Sequence, residues 1–281
     1  MQGSTSGNKE KELERIEIEL LLEGIYRHYG YDFRNYAYPS ICRRVRHRLQ
    51  AERLSTISSL TEKVLHHPAY MDRLLDDFSI NVTEMFRDPS FFLAMRQKVL
   101  PQLCDQPVIR IWHAGCSTGE EVYAMAILLH EAGLGAKTMI YATDMNGKAT
   151  AQAEKGVFPL EKMKQYTKNY HQSGGKREFS EYYSVHGNYV VFHPDLSHHM
   201  VFSQHNLVTD HSFNAFDIII CRNVLIYFNE ALQRRVLQLF NESLVSRGFL
   251  GLGSREGIFS FVRSGLYEEF VRGDRIYRKI L

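Results

Sequence analysis

The run FDIIICRN, residues 216–223, constrains the fold more than any other stretch of this chain. A near-continuous apolar strand of this kind is buried on both faces, which is the habit of parallel sheets covered by helices on either side. It has company. VIRIWHAG ends in a glycine turn and leads into the helical EEVYAMAILLHEAG, KTMIYATD is followed by GKATAQAEKG, and FDIIICRN by EALQRRVLQLFNESL. Strand and helix alternate, which predicts an α/β, doubly wound, Rossmann-like sheet over residues 105–281. At its end, GFLGLG and RIYRKIL are strands with little helix between them and predict an antiparallel hairpin at one sheet edge. Residues 172–205, with glycine turns and alternation around YYSVHGNYVVF, predict a small inserted β-subdomain.

The first part of the chain has a different period. ELERIEIELLLEGIYRHYG places Ile18, Leu21, Leu22, Ile25 and Tyr29 on one helical face and stops at Gly30. PSICRRVRHRLQAERL starts on Pro39 and repeats Ile41, Val45 and Leu49; ISSLTEKVLHH and YMDRLLDDFSI follow. Residues 10–80 are therefore expected to form a small all-α domain, with 81–104 as the join. The polar start MQGSTSGNKEKE is expected to be a tail outside the fold.

A hydrophobic content of 44% and a charged content of 23% belong to a globular enzyme and exclude a disordered or fibrous chain. The net charge of +2 is too small to imply a polyanionic partner, so any basic docking site has to be local. Four scattered cysteines without a CxxC pair read as reduced thiols, which points to the cytoplasm. No apolar stretch approaches a bilayer span and no signal-peptide core precedes the helices, so membrane insertion is not expected. The pairs His66-His67 and His198-His199 lack the i, i+4 spacing of a helical zinc motif, and no metal is expected.

In open α/β sheets ligands bind beyond the carboxyl ends of the strands. Three loops lie at such ends: AGCSTGEE, TDMN and CRNVLIYF. Gly115 and Gly119 allow a tight turn and close backbone approach. Asp144, 25 residues beyond Gly119, sits where an acidic residue binds ribose hydroxyls in dinucleotide folds. The Glu120-Glu121 pair at a helix start repels phosphate, and the spacing is not GxGxxG. A cofactor with a ribose and a cationic amino-acid tail fits better, namely S-adenosylmethionine. The other reading of the pair, as ordinary first-turn acids of a helix, stays open on this loop alone.

SINVTEMFRD, residues 79–88, carries Asn81, Thr83 and Arg87 in the join. Together with AGCSTGEEVY, ATDMN and CRNVLIYF in this order, it resembles the chemotaxis receptor methyltransferases, which esterify glutamates of methyl-accepting receptors. The resemblance runs from about residue 13 to the end and implies a class I methyltransferase sheet. It implies that Asn81, Thr83 and Arg87 contact S-adenosylmethionine (the product being S-adenosylhomocysteine), with Arg87 near the reacting centre. Glu121 would hold its amino-acid end and Asp144 its ribose, Asn206 and Leu207 would lie beside its adenine, and Gly115 would admit it close to the backbone. Arg222 and Asn223 match the loop after the third strand, and Tyr227 the tyrosine at the reacting centre. Val122 stands where the family has proline in GEEPY, and the β-subdomain is long, which leaves open a tether through a receptor C-terminal pentapeptide.

A glutamate carboxylate is ionised near neutral pH, so transfer to it needs alignment rather than a strong base. Arg87 or Arg222 is expected to orient the carboxylate with Tyr227. The partner would be the acidic cytoplasmic helices of receptors. Residues 34–53 hold six arginines against one acid, and Arg43, Arg44, Arg46 and Arg48 are the expected docking residues, against the plainer reading of a solvated basic face. Two rivals are a nucleic-acid methyltransferase, disfavoured because no NPPY-like loop stands at CRNVLIYF, and a non-catalytic cofactor-sensing module.

Overall fold

The computed structural model describes residues 3–79 and 83–280. The chain divides into two compact units, residues 1–80 with 226–234, and residues 81–225 with 235–281.

The first unit is helical: α1 (Gly3–Tyr29), α2 (Tyr38–Ala51), α3 (Ile57–His66) and α4 (Pro68–Phe78). Its core follows the apolar spacing of each helix, with Leu21, Ile25, Val45, Leu60, Val64 and Leu74 fully buried. Boundaries follow local chemistry. Gly30 leaves α1 at φ +80, the Thr56 side chain accepts from the Ser59 amide to cap α3, and Pro68 opens α4 where no amide is needed. The helix α1 starts at Gly3, inside the stretch expected to be a tail. NKEKELER is built of straight-chain helix formers, and extending an existing helix fixes one residue per hydrogen bond gained. Phe228 pairs with Tyr36 in an isolated bridge, and the Ala37 amide donates to the Tyr227 carbonyl at 2.8 Å, which secures the second segment of this unit.

The second unit contains, in order, α5 (Pro89–Ala94), β1 (Ile109–Ala114), α6 (Glu120–Glu131), β2 (Thr138–Asp144), α7 (Gly147–Glu154), β3 (Val157–Pro159), α8 (Met163–Gln172), β4 (Tyr183–His186), β5 (Tyr189–Phe192), β6 (Met200–Gln204), β7 (Phe216–Cys221), α9 (Glu230–Ser243), β8 (Leu244–Leu252), α10 (Phe259–Arg263), β9 (Tyr267–Val271) and β10 (Ile276–Lys279). Seven strands form one sheet in the order β6-β2-β1-β7-β8-β10-β9. The pairings from β6 to β8 are parallel, while β10 runs antiparallel to both β8 and β9. The expected α/β class is therefore the observed one. Strand β7 is buried along its whole length, as its apolar run requires.

Three details differ from expectation. The two strands read from sequence pair antiparallel as β8 with β10, but they do not form the edge: β9 adds outside β10, and the adjacent acids of YEEFV break the alternation that would have marked it as a strand. The segment MVFSQ leaves the inserted subdomain to become β6 of the main sheet, and the small sheet is β3-β5-β4, beginning as early as residue 157. Residues 83–104 are not a bare join: Phe86, Phe91, Phe92, Val99 and Leu100 are buried in one core with Ile111 and Ile218.

Candidate functional site

The chain passes from β1 outward to β2 and β6, then returns to place β7 on the other side of β1. The carboxyl ends of β1 and β7 thus bound the crevice where an open α/β sheet binds its ligand. Four residues around it have left-handed backbone: Gly115 (φ +82), Ser117 (φ 51), Gly119 (φ +92) and Asn223 (φ 62). A Cβ on Gly115 would lie 2.6 Å from Val224 Cγ2, and one on Gly119 2.8 Å from Ala153 Cβ. Both glycines are demanded by space as well as by φ.

Asp144 ends β2 almost buried. Its Oδ2 accepts from the Ser117 amide and its Oδ1 from the Asn146 amide, each at 2.9 Å. Burial raises its carboxyl above the ordinary value, against the pull of those amides. The Met145 amide donates to it as well, so three backbone amides fix its orientation. A carboxylate offers about four lone-pair sites, and one fixed in this way can still accept from a ribose hydroxyl. The His205 amide donates to the Asp144 carbonyl at 3.1 Å, so the chain leading into Asn206 and Leu207 runs alongside. Leu207 is buried, and Asn206 turns its own loop by accepting from the Val208 amide.

Glu121 shows the same economy. Its Oε2 accepts from Arg222 Nη1 at 2.8 Å, and its Oε1 lies 3.3 Å from His113 Nδ1, which must donate to it. Burial pushes the Glu121 carboxyl up, but the His113 bond and the Arg222 charge outweigh it and hold it below the ordinary value. Glu120, only 2% exposed, behaves oppositely: burial raises it, although the Thr118 hydroxyl donates to it at 2.6 Å.

Arg222 is expected from sequence to orient a substrate carboxylate, and its surroundings give it another task. Its side chain is 2% exposed, its two terminal nitrogens are taken by Glu121 and by Asp88 (2.6 Å), and its guanidinium lies 4.3 Å from the Phe91 ring centroid. Its terminal nitrogens are committed to two acids, while its buried Nε–H has no partner among the described residues, so the side chain is fixed in place with a donor still open. It is a brace that joins the loop after β7, the start of α6 and the entry to α5. Asn223 is braced in turn by Glu256, whose Oε2 accepts from the Asn223 amide at 3.0 Å and the Gly253 amide at 2.7 Å.

Thr83 and Arg87 are half-buried ahead of α5, between the core residues Met85 and Phe86 and the left-handed Asp88. Asn81 lies outside the described residues. Tyr227 belongs to the helical unit, where the Arg44 guanidinium stands 5.0 Å from its ring centroid. Asp88, His113 and Glu256 escape a sequence reading because their partners are 134, 8 and 33 residues away. Two of them lie in stretches the sequence singles out, Asp88 at the end of SINVTEMFRD and His113 in VIRIWHAG. Cys116 and Cys221 are buried with thiols raised well above their ordinary value by burial, as packing residues should be.

The expected row of docking arginines on α2 is broken. Arg44 is buried and donates to the Ser40 hydroxyl at 2.6 Å. Arg48 is 11% exposed and holds Asp77, Glu52 and the Arg73 carbonyl. Arg46 makes a two-pronged pair with Glu14, both contacts 2.7 Å. Arg43 is exposed. On a helix with a four-helix environment, the wheel positions beside the apolar stripe meet neighbours rather than solvent.

The donor set fits S-adenosylmethionine: two oriented carboxylates, a crevice floored by glycine backbone, and a guanidinium, Arg222, paired with two acids. The comparisons agree. The family description "CheR methyltransferase, SAM binding domain" matches residues 81–267, and "CheR methyltransferase, all-alpha domain" matches residues 16–79. A Pseudomonas putida protein named as a candidate methyltransferase, Cher3, is 48% identical over 264 residues, covering 94% of this chain and 97% of its own. A Listeria monocytogenes chemotaxis protein methyltransferase is 28% identical, covering 86% of this chain and 90% of its own. A Salmonella typhimurium chemotaxis protein methyltransferase is 29% identical, covering 72% and 68%.

Proposed function

The chain belongs to the CheR methyltransferase family and is an S-adenosylmethionine-dependent methyltransferase, and from that premise we propose that it esterifies glutamate side chains on methyl-accepting chemotaxis receptors in the cytoplasm. The observation that carries the reading is the match to both CheR domains together with the chemotaxis relatives. When bound, the cofactor supplies a methyl group on a cationic sulfonium. Every other requirement falls on the chain.

Glu121, ionised and oriented by His113 and Arg222, holds the cationic amino end of the cofactor. Asp144 binds the ribose, and Asn206 and Leu207 border the adenine. Gly115 admits the cofactor close to the backbone, and Asn81, Thr83 and Arg87 complete the methionine side. The acceptor carboxylate is an anion at neutral pH. No group has to remove a proton from it, so the chain's contribution is alignment and exclusion of water, worth about 7–11 kcal/mol when the reacting atoms are held in line. Presenting the carboxylate is assigned to Arg87 with Tyr227, and Arg222, paired with Glu121 and Asp88, fixes the loop after β7.

The test is transfer of tritiated methyl groups from S-adenosylmethionine to cytoplasmic receptor fragments, followed by release of labelled methanol in base. Labelling that survives base, or none on any acidic helical fragment, removes the reading. Arg87→Ala and Tyr227→Phe are each expected to lower kcat with affinity for S-adenosylhomocysteine retained; near-normal turnover in both would refute their roles. Transfer to nucleic acid, or cofactor binding without any transfer, would favour the two rivals.

A further inference from the structure

Of the six arginines of residues 34–53, Arg44 is buried and Arg34, Arg46 and Arg48 pair with acids of the helical unit, leaving Arg43 and Arg53 exposed; a denser unpaired basic run lies in the other unit. Residues 162–177, KMKQYTKNYHQSGGKR, contain Lys162, Lys164, Lys168, Lys176 and Arg177 and no acid. The whole chain has a net charge of +2, so this one segment is more basic than the protein that carries it.

The helix α8 sorts these residues by face. Met163, Tyr166, Asn169 and Tyr170 are buried, while Lys164, Lys168 and His171 lie outward at i, i+4 and i+7. Lys164, Lys168 and Lys176 are exposed and make no ion pair among the described residues. Lys162 and Arg177 have only loose partners, Glu120 and Glu181, each at 3.8 Å. This contrasts with α2, where pairs of 2.6–2.7 Å close on Arg46 and Arg48.

The inner face of the same helix touches both cofactor segments of its unit. The Tyr166 hydroxyl donates to Glu120 at 3.4 Å, at the start of α6. Asn169 Nδ2 donates to the Met85 carbonyl at 3.1 Å, in the stretch between Thr83 and Arg87. One helix therefore has an unneutralised basic face outside and hydrogen bonds to the cofactor loops inside.

We propose that the outer face of α8, with Lys164, Lys168 and Lys176, is a docking surface for the acidic helix that carries the methylated glutamates. The inference rests on the receptor reading above, since charge complementarity to a carboxylate-rich helix is what selects the partner. Lysines one helical turn apart match carboxylates one turn apart on a partner helix.

The experiment uses the full chain carrying K164E and K168E. KM for the receptor fragment should rise about tenfold, with a shallower dependence on salt, because two exposed attractive charges become repulsive. Affinity for S-adenosylhomocysteine should stay within twofold of wild type; a larger change would refute the separation of the outer face from the cofactor site. Wild-type labelling of the fragment with an unchanged KM and salt slope in the variant overturns the α8 surface alone. No labelling by wild type overturns the receptor reading and this partner with it. If the variant instead loses binding to phosphatidylglycerol vesicles or single-stranded RNA while its receptor KM holds, the surface serves a different polyanion and the proposal is wrong.

Discussion

Arg222→Met is the most informative perturbation of this unit. Methionine keeps much of the contact with Phe91 but removes the charge that Glu121 depends on. Glu121 would keep only His113 Nδ1–H, and the removal of one partner from a buried pair costs about 3–5 kcal/mol. Asp88 contributes less, since its side chain is 43% exposed and returns to water; about 1 kcal/mol is an upper figure for that arm. At roughly 2–4 °C per kcal/mol for a domain of 150–250 residues, Tm should fall by roughly 6–20 °C. Affinity for S-adenosylhomocysteine should weaken as well, because Glu121 loses its orientation. The decisive measurement is the double variant Glu121→Gln with Arg222→Met, followed by urea unfolding and by calorimetric titration. Removing the stranded carboxylate should restore about 2 kcal/mol of the stability lost in Arg222→Met, without restoring cofactor affinity. A double variant no more stable than Arg222→Met would refute the claim that the brace exists to compensate Glu121.

Three further outcomes are expected. Gly115→Ala places a methyl against Val224 at a left-handed position and should cost about 1–3 kcal/mol, part of which Val224→Ala in the same chain recovers, read by thermal unfolding. Glu121 has a folded pKa below its unfolded value of about 4.3, so the stability it contributes is present above that pH and lost as pH falls through the folded pKa; Glu121→Gln should flatten this part of the acid limb of the stability curve, and an unchanged limb would contradict it. Arg48→Ala takes one partner from each of Asp77 and Glu52, which keep His47 and Arg73, and should cost about 1–3 kcal/mol in the helical unit while leaving KM for a receptor fragment unmoved, which enzyme assays at saturating cofactor will check.

The fold was legible wherever one local pattern decided the element. FDIIICRN could only be a strand covered on both faces, and Ile18-Leu21-Leu22-Ile25 only a helix with one buried side. What escaped were elements whose identity is settled by a partner strand. YEEFV and MVFSQ are short and half polar, and each becomes a strand because β10 or β2 supplies the hydrogen bonds; Tyr267 pairs with Lys279, and Met200 with Ile140. The same holds in the site. Glycines and carboxylates at strand ends declare themselves, since their chemistry is local to the turn. Asp88 and Glu256 do not, because a carboxylate in a turn looks like any surface acid until the chain brings Arg222 or the Asn223 amide to it.

Charge was the least legible property, for a reason that the two basic helices make concrete. Counting arginines on α2 treats each as free, yet a helix packed among three others has acids of its neighbours within reach of its flanks. Glu14 from α1 and Asp77 from α4 reach Arg46 and Arg48, and the burial of Arg44 withdraws a third. The guanidinium's planar fork favours such two-pronged pairing, so a cluster of arginines inside a bundle is evidence for internal bracing. Lysines on α8 are different: the helix has one buried face, no acid of its own, and a point charge on a flexible stem that needs no fixed partner. An exposed lysine face left unpaired by the fold costs mutual repulsion, which a bound acidic helix would relieve. The variant carrying K164E and K168E should accordingly be no less stable than wild type without receptor, and worse than wild type only when receptor is the substrate. A loss of stability of more than about 1 kcal/mol in the free enzyme would mean that these lysines serve the fold.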